Sequence, residues 1–416
     1  MKLINRDFYL NKLLSVKDIP DIKVITGVRR CGKSKLMDAL IDVISEDPNT
    51  NIVRIKLNLK IFEKLLKADE LYKYIDEQYD KTKKNYLFID EVQLCDGFER
   101  IINSIYEEER YDIYLTGSNA FLLSSDLATL FGGRVFEISL YPFSFKEYLA
   151  YFPSDDVDTA FDMFVKKGGM SGSYLYRTDE DAKKYINGIY RTTITKDILK
   201  KFKIENEDLL IMIGNFLMDN VGNQTSIRNV ASKLTAGSYK TNDKTVGSYI
   251  NCYCKSFLFY PIQRYDIKGK RYLETEKKYY LSDLSFRFSE IGTKNADYGH
   301  LYENIVAIEL LRRGYEVYVG KLYEKEVDFV AIKEGHKIYI QVSDDISRKE
   351  TLDRELSPLL QIKDAYPKIL IARTKHEEVH SEGIKIIDIA RWLTSTEKQG
   401  WKLWIKITVV FMFRKF

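Results

Sequence analysis

Residues 25–34 read ITGVRRCGKS, closing a short apolar run, IKVIT at 22–26. Gly27-Val28-Arg29-Arg30-Cys31-Gly32-Lys33-Ser34 fits G-x-x-x-x-G-K-[ST], and it follows a predicted strand and opens a predicted helix. Glycines at both ends let backbone N–H groups turn inward around phosphate oxygens, and the helix N-terminus adds a favourable dipole. The stretch from Gly27 through Lys35 is therefore a nucleotide-binding candidate. Lys33 is expected to reach the β- and γ-phosphates, and the Ser34 hydroxyl to ligate Mg²⁺.

Tyr86-Leu87-Phe88-Ile89-Asp90-Glu91 is an apolar strand ending in two carboxylates. Beside a phosphate loop this is a Walker B arrangement. Asp90 would hold Mg²⁺, and Glu91 would polarise an attacking water as general base. A third strand, 112–116, ends in Gly117-Ser118-Asn119, and Asn119 is the candidate for positioning that water or touching the γ-phosphate. Arg134, in Phe131-Gly132-Gly133-Arg134, is the candidate transition-state cation. Its alternative is a solvated arginine after a helix cap.

The first ~150 residues, about one domain's length, alternate such runs (22–26, 51–57, 86–90, 112–117, 134–140) with helical patterns, which predicts a parallel α/β sheet. The chain has 416 residues, 45% hydrophobic and 30% charged, a globular balance sufficient for about three domains. Lys+Arg 65 against Asp+Glu 61 leaves a net charge of +4, which excludes a histone-like or polyanionic chain but allows a local basic patch. Four cysteines are too few for a disulfide scaffold and read as reduced thiols of a cytoplasmic protein. No signal peptide or membrane span is predicted.

Through ITGVRRCGKS, LFIDEVQ, YLTGSNA and GGRVFEISLYPFSFKEYL, the chain resembles the AAA+-type P-loop ATPases of bacteria and archaea that carry a C-terminal nuclease-like domain of unknown function. The resemblance runs to about Leu393. It implies strand order 5-1-4-3-2, ATP rather than GTP as substrate, and Arg29 and Arg30 as parts of the family's loop.

Residues 151–220 read as helical. Residues 221–290 read helix–turn–helix followed by a hairpin, the order of a winged helix. Between Val221 and Tyr280 there are 11 Lys/Arg against 4 Asp/Glu. The second helix, with Lys240, Asn242, Lys244, Ser248, Tyr249 and Asn251, would enter a DNA groove, and Lys268, Lys270 and Arg271 of the wing would contact phosphates. A winged helix used for protein interaction is the alternative.

Residues 295–393 read as a second α/β unit. Glu303 on a helix, Glu326 and Asp328 on a strand, and Gln341 and Ser343 on its neighbour are the elements of a PD-(D/E)xK nuclease fold. Such a site wants a carboxylate where Gln341 stands and a lysine where Ser343 stands. Each loss costs roughly 10²–10³-fold by analogy with removal of one transition-state stabiliser. A degenerate nuclease follows, with residual metal binding by Glu303, Glu326 and Asp328 left open. His376-Glu377-Glu378-Val379-His380 matches H-E-x-x-H but lies between two strands, where a zinc site is not expected. The tail 394–416 receives no assignment.

The expectation is a Mg²⁺-dependent ATPase whose cycle switches the attached domains, on DNA or with a protein partner. A homo-oligomer is the setting in which Arg134 would serve a neighbour. The alternatives are an ATP-gated nuclease and a slow nucleotide-dependent DNA-binding or signalling switch.

Overall fold

The computed structural model describes residues 4–117, 129, 131–237, 239–293 and 296–395. The chain begins with helix α1 (Asp7–Ser15) and strand β1 (Ile22–Thr26), which is buried at all five positions. There follow α2 (Lys33–Ile44), β2 (Thr50–Lys56), α3 (Ala68–Glu77), β3 (Lys84–Asp90), α4 (Phe98–Glu107), β4 (Asp112–Thr116) and β5 (Val135–Ser139). The five strands form a parallel sheet in the order β2-β3-β4-β1-β5, the expected order counted from the other edge.

The pattern explains the sheet. Strands covered on both faces read as continuous apolar runs, and Val24, Leu87, Ile89 and Leu115 pack in one core with Leu71, Ile75, Ile102 and Ile105 of α3 and α4. Full burial of each such side chain stabilises by about 1.5–3 kcal/mol. Lys23 interrupts β1, and its ammonium is neutralised by Asp112 at 2.5 Å and lies 5.3 Å from the Tyr114 ring. Because the strands are parallel, their C-terminal ends, at Thr26, Asp90 and Thr116, open onto one edge.

The chain continues through α5 (Phe145–Tyr151), opened by a Ser144/Glu147 capping box, and α6 (Val157–Lys167). Then come α7 (Asp179–Thr192), which runs into a π-helical stretch at Thr193–Leu199, and α8 (Glu207–Asp219). Strand β6 (Gln224–Thr225), α9 (Ile227–Ala236), α10 (Asp243–Lys255), the hairpin β7 (Phe259–Asp266) and β8 (Arg271–Leu281), and α11 (Leu284–Glu290) follow. Side chains of Asn206, Ser226 and Asn242 cap α8, α9 and α10 by accepting the third backbone N–H, which sharpens each start. Strand β6 pairs antiparallel with β8.

The last segment is α12 (Tyr298–Arg312), β9 (Glu316–Leu322), β10 (Lys325–Lys333), β11 (His336–Ser343), α13 (Lys349–Leu360), β12 (Lys368–Ala372), β13 (Val379–Ser381), β14 (Ile384–Asp388) and α14 (Ile389–Thr394). Strands β9, β10 and β11 form an antiparallel meander. Helix α13 crosses over to bring β12 parallel to β11, and β14 lies parallel to β12. The expected solvated turn at 376–380 ends in strand β13, in which His380 pairs with Lys385.

The chain divides into two compact units that differ from the expected boundaries at 150, 220 and 290. One comprises Met1–Phe143, Lys166–Ile262 and Thr275–Ala296; the other Ser144–Val165, Gln263–Glu274 and Asp297–Phe416. A buried arginine holds α6 in the second unit. Arg373, 6% exposed in its side chain, is ion-paired with Asp158 and Asp162 of α6 and with Asp388. Its guanidinium lies 5.2 Å from the Phe161 ring, and Phe161 meets Tyr302 of α12 at 5.5 Å. A desolvated guanidinium needs those carboxylates, so α6 belongs with the C-terminal segment.

Candidate nucleotide site at the strand ends

The loop after β1 is held open by its backbone. Gly27 has φ 137° and a Cβ there would stand 2.1 Å from the Leu140 carbonyl oxygen, while Gly32 has φ 108°. Only glycine accepts both conditions. Arg30 also adopts a left-handed conformation, with φ 65°. Lys33, 6% exposed at the first turn of α2, donates to the carbonyl oxygens of Gly27 at 2.9 Å and Val28 at 3.3 Å. Its ammonium thus spans the mouth of the loop, where phosphate oxygens would replace those carbonyls.

The carboxylates sit beside it. Ser34 Oγ donates to Asp90 at 3.0 Å, which joins α2 to the end of β3. The pair is an all-oxygen donor set of the kind Mg²⁺ takes, so the residues present fit that ion. Thr116, fully buried at the end of β4, donates its hydroxyl to Asp90 and accepts the Glu91 backbone N–H at 3.2 Å. Glu91 is held at φ 57°, a strained conformation for a non-glycine residue, and its carboxylate accepts from the Gln93 amide. Strain of this kind over-determined by neighbours accompanies functional positions.

Two arginines frame the loop. Arg29 makes a bidentate pair with Asp197 of the π-helical stretch, at 2.9 and 2.5 Å. Burial alone would lower the Arg29 pKa, but the Asp197 hydrogen bonds and the charges of Asp197 and Glu91 outweigh it and push it above its ordinary value. Arg6, 6% exposed, donates to the Cys31 carbonyl at 3.0 Å and the Tyr141 carbonyl at 2.8 Å, and lies 4.7 Å from the Tyr9 ring. It ties the loop to the segment after β5.

Sequence reasoning missed Thr116, Arg6 and Asp197. The signal for Thr116 was a polar residue closing an apolar strand beside the Asp90 strand; nothing local marked the other two. Among the expected residues, Cys31 is buried, Arg30 is exposed, and Lys35 faces Asp38 at 3.7 Å on the surface of α2. Asn119 lies outside the described residues. Arg134 is corrected as a cation for its own chain's phosphates. Its carbonyl accepts the Ile22 N–H, so it stands at the opening end of β5, a strand's length from the loop. There its guanidinium pairs with Glu107 and covers the Tyr106 ring at 5.1 Å.

Lys240 and Lys244 are exposed at the start of α10, but Ser248, Tyr249 and Cys252 on that helix line a recess with residues 202–205, and burial raises the Tyr249 pKa. Ser248 and Asn251 are exposed and Tyr249 is half-buried. Lys270 is exposed, Lys268 lies over the Tyr323 ring at 4.6 Å, and Arg271 faces Asp266 at 3.4 Å.

Asp328, 8% exposed, accepts the Val342 N–H at 2.8 Å, and Gln341 donates to Glu355 at 3.1 Å. Ser343 donates to the Asp345 carbonyl at 3.2 Å, and buried Glu303 faces His300 at 3.3 Å. Among the described residues no three His, Cys, Asp or Glu side chains are grouped to hold a metal ion. His376 Nδ1 meets the Glu377 carbonyl at 2.8 Å. No helix among the described residues is long and apolar enough to cross a membrane.

A family model described as an AAA domain matches residues 20–149, and a domain of unknown function matches residues 158–297. An uncharacterized protein of Haemophilus influenzae is 38% identical over 399 residues, covering 94% of this chain and 98% of its own length. One from Methanocaldococcus jannaschii is 27% identical, covering 76% and 70%. Among solved structures, a Walker-type ATPase of Pyrococcus abyssi aligns at 14% identity and TM-score 0.45, covering 69% of this chain and 95% of that one. With its loop, its acidic strand end and its strand order all in place, the chain carries an AAA-type P-loop ATPase domain and belongs to the same protein family as the Haemophilus influenzae relative.

Proposed function

We propose that the protein hydrolyses ATP with Mg²⁺ and uses the cycle to change the state of its attached domains. The observation that carries this reading is the convergence of Ser34, Asp90, Thr116 and the Glu91 backbone within hydrogen-bond reach at one edge of the sheet. The loop amides from Gly27 to Ser34 cradle the phosphates, and the Lys33 ammonium leaves the Gly27 and Val28 carbonyls for the β- and γ-phosphate oxygens. Ser34 and Asp90 hold Mg²⁺, which when bound neutralises charge on those oxygens. Glu91 then accepts a proton from the water that attacks the γ-phosphate. A pure nucleotide binder has no need of that carboxylate.

The test is ADP release from MgATP. Glu91→Gln protein is expected to bind ATP without turning it over, and Lys33→Ala serves as the blank. Wild-type turnover by Glu91→Gln would sink the assignment.

Two finer readings extend it. The order α8, β6, α9, α10, β7, β8 with β6 paired to β8 supports a winged helix. Exposed Lys240 and Lys244 then make duplex DNA its partner. Charge reversal at both should weaken duplex binding, and unchanged affinity would leave a protein-interaction module instead. The order helix, three antiparallel strands, helix, parallel strand in residues 298–372 supports a nuclease-like fold. Gln341 and Ser343 in place of carboxylate and lysine make it non-cleaving, which a plasmid-nicking assay checks. Mg²⁺-dependent cleavage abolished by Asp328→Ala would reverse that.

A further inference from the structure

In the C-terminal unit, Tyr265, Tyr318 and Tyr339 belong to the sheet face whose core includes Leu356 and Leu359 of α13. The rings do not stop where the helix cover does. Tyr272 of β8 lies 5.5 Å from Tyr265 and 5.0 Å from Tyr318, and Tyr265 lies 6.0 Å from Tyr318. On β11, the Lys337 ammonium stands 4.7 Å from the Tyr265 ring and 5.5 Å from the Tyr366 ring, and donates to the Tyr265 hydroxyl at 3.1 Å. Tyr272 is 56% exposed and Tyr366 41%. From β8 to β11 the array crosses four inter-strand steps, about 19 Å.

Single exposed tyrosines are ordinary on a protein surface. A contiguous group of rings with ammoniums laid on their faces is not. Lys268 adds a second ammonium, over Tyr323 at 4.6 Å, and neither Lys268 nor Lys337 has a carboxylate partner among the described residues. The neighbouring acids are already engaged. Asp266 accepts the Gly269 N–H at 3.0 Å and faces Arg271, and Glu316 accepts from the Tyr318 hydroxyl at 3.2 Å.

We propose that this ring-and-lysine surface binds single-stranded nucleic acid, with unpaired bases stacking on Tyr272 and Tyr366 and phosphates meeting Lys337 and Lys268. A π-face accepts any base, whereas a duplex hides its base faces within its own stack. The lysines favour a polyanion over a proline-rich peptide, the other usual occupant of an aromatic surface. The inference stands apart from the ATPase reading and from duplex contacts by Lys240 and Lys244.

The test is fluorescence anisotropy with the full chain, using labelled oligothymidylate, oligouridylate and a mixed-sequence duplex at low and moderate salt. At least one single strand is expected to bind. Tyr272→Ala should weaken binding about 5- to 150-fold, and Tyr272→Phe should retain it. Lys337→Gln should flatten the salt dependence by close to 0.7 in log–log slope. Tyr272 is more than half exposed, so the alanine variant should melt like wild type. No single-strand binding, or binding that Tyr272→Ala leaves unchanged, overturns the proposal. So does duplex binding that still equals or exceeds that of both single strands when Lys240 and Lys244 are charge-reversed.

Discussion

Thr116→Val is the most informative single change at the nucleotide site. It keeps the shape of a fully buried side chain and removes one hydroxyl. That hydroxyl donates to the Asp90 carboxylate and accepts the Glu91 N–H at 3.2 Å. A hydrogen bond to a charged group contributes about 1.5–3 kcal/mol. If the same contact holds Asp90 and Glu91 in register during attack, its loss lowers kcat by about 10- to 150-fold at 1.36 kcal/mol per decade. ADP release measures this, and a fluorescent ATP analogue measures binding, which should change much less because Lys33 and the loop amides are untouched. Thr116→Ser should restore turnover. A Thr116→Val protein that hydrolyses ATP at the wild-type rate would refute the idea that the end of β4 aligns the two carboxylates.

Further outcomes are expected elsewhere. Gly27→Ala should abolish nucleotide binding, because its Cβ meets the Leu140 oxygen at 2.1 Å and its φ is hostile to a side chain; equilibrium dialysis reads the loss. Asp197→Ala should cost about 1.5–3 kcal/mol of stability in urea titration by leaving Arg29 without its bidentate partner. Burial alone would raise the Asp388 pKa, but N–H donors from Lys375 and Arg391 and the Arg373 charge bring it below the ordinary carboxylate value of 3.8. A depressed folded pKa gives stabilisation that is present above the unfolded value and lost as pH falls through the folded one. The urea midpoint should therefore decline below roughly pH 4, and less steeply in Asp388→Asn.

The parallel sheet was legible because strands buried on both faces have little room for polar side chains, and 22–26 and 86–90 obey that rule except at Lys23 and at their closing residues, Thr26 and Asp90. The loop was legible because few residue types satisfy its backbone. Thr116 was passed over in favour of Asn119 because a lone hydroxyl at a strand end carries no pattern, although its place beside Asp90 does. Arg134 misled because a Gly-Gly-Arg string looks like a loop aimed at phosphate, whereas strand direction puts it at the far end of β5. The placement of 144–165 was invisible locally. It depends on Arg373, more than 200 positions further along, and the charge of Asp158 alone gives no hint of that partner.

The anchoring of the loop by Arg6 has a consequence for the order in which the protein matures. A chain leaves the ribosome N-terminus first, yet Arg6 binds a carbonyl 135 positions downstream and Arg29 a carboxylate 168 positions downstream. A nascent chain that has exposed ITGVRRCGKS holds the letters of a phosphate cradle with neither clamp in place. Competence to bind nucleotide should therefore be acquired late in synthesis, after residue 197 has emerged. A fragment cut at residue 150 would keep the Arg6 clamp and lack the Arg29 one.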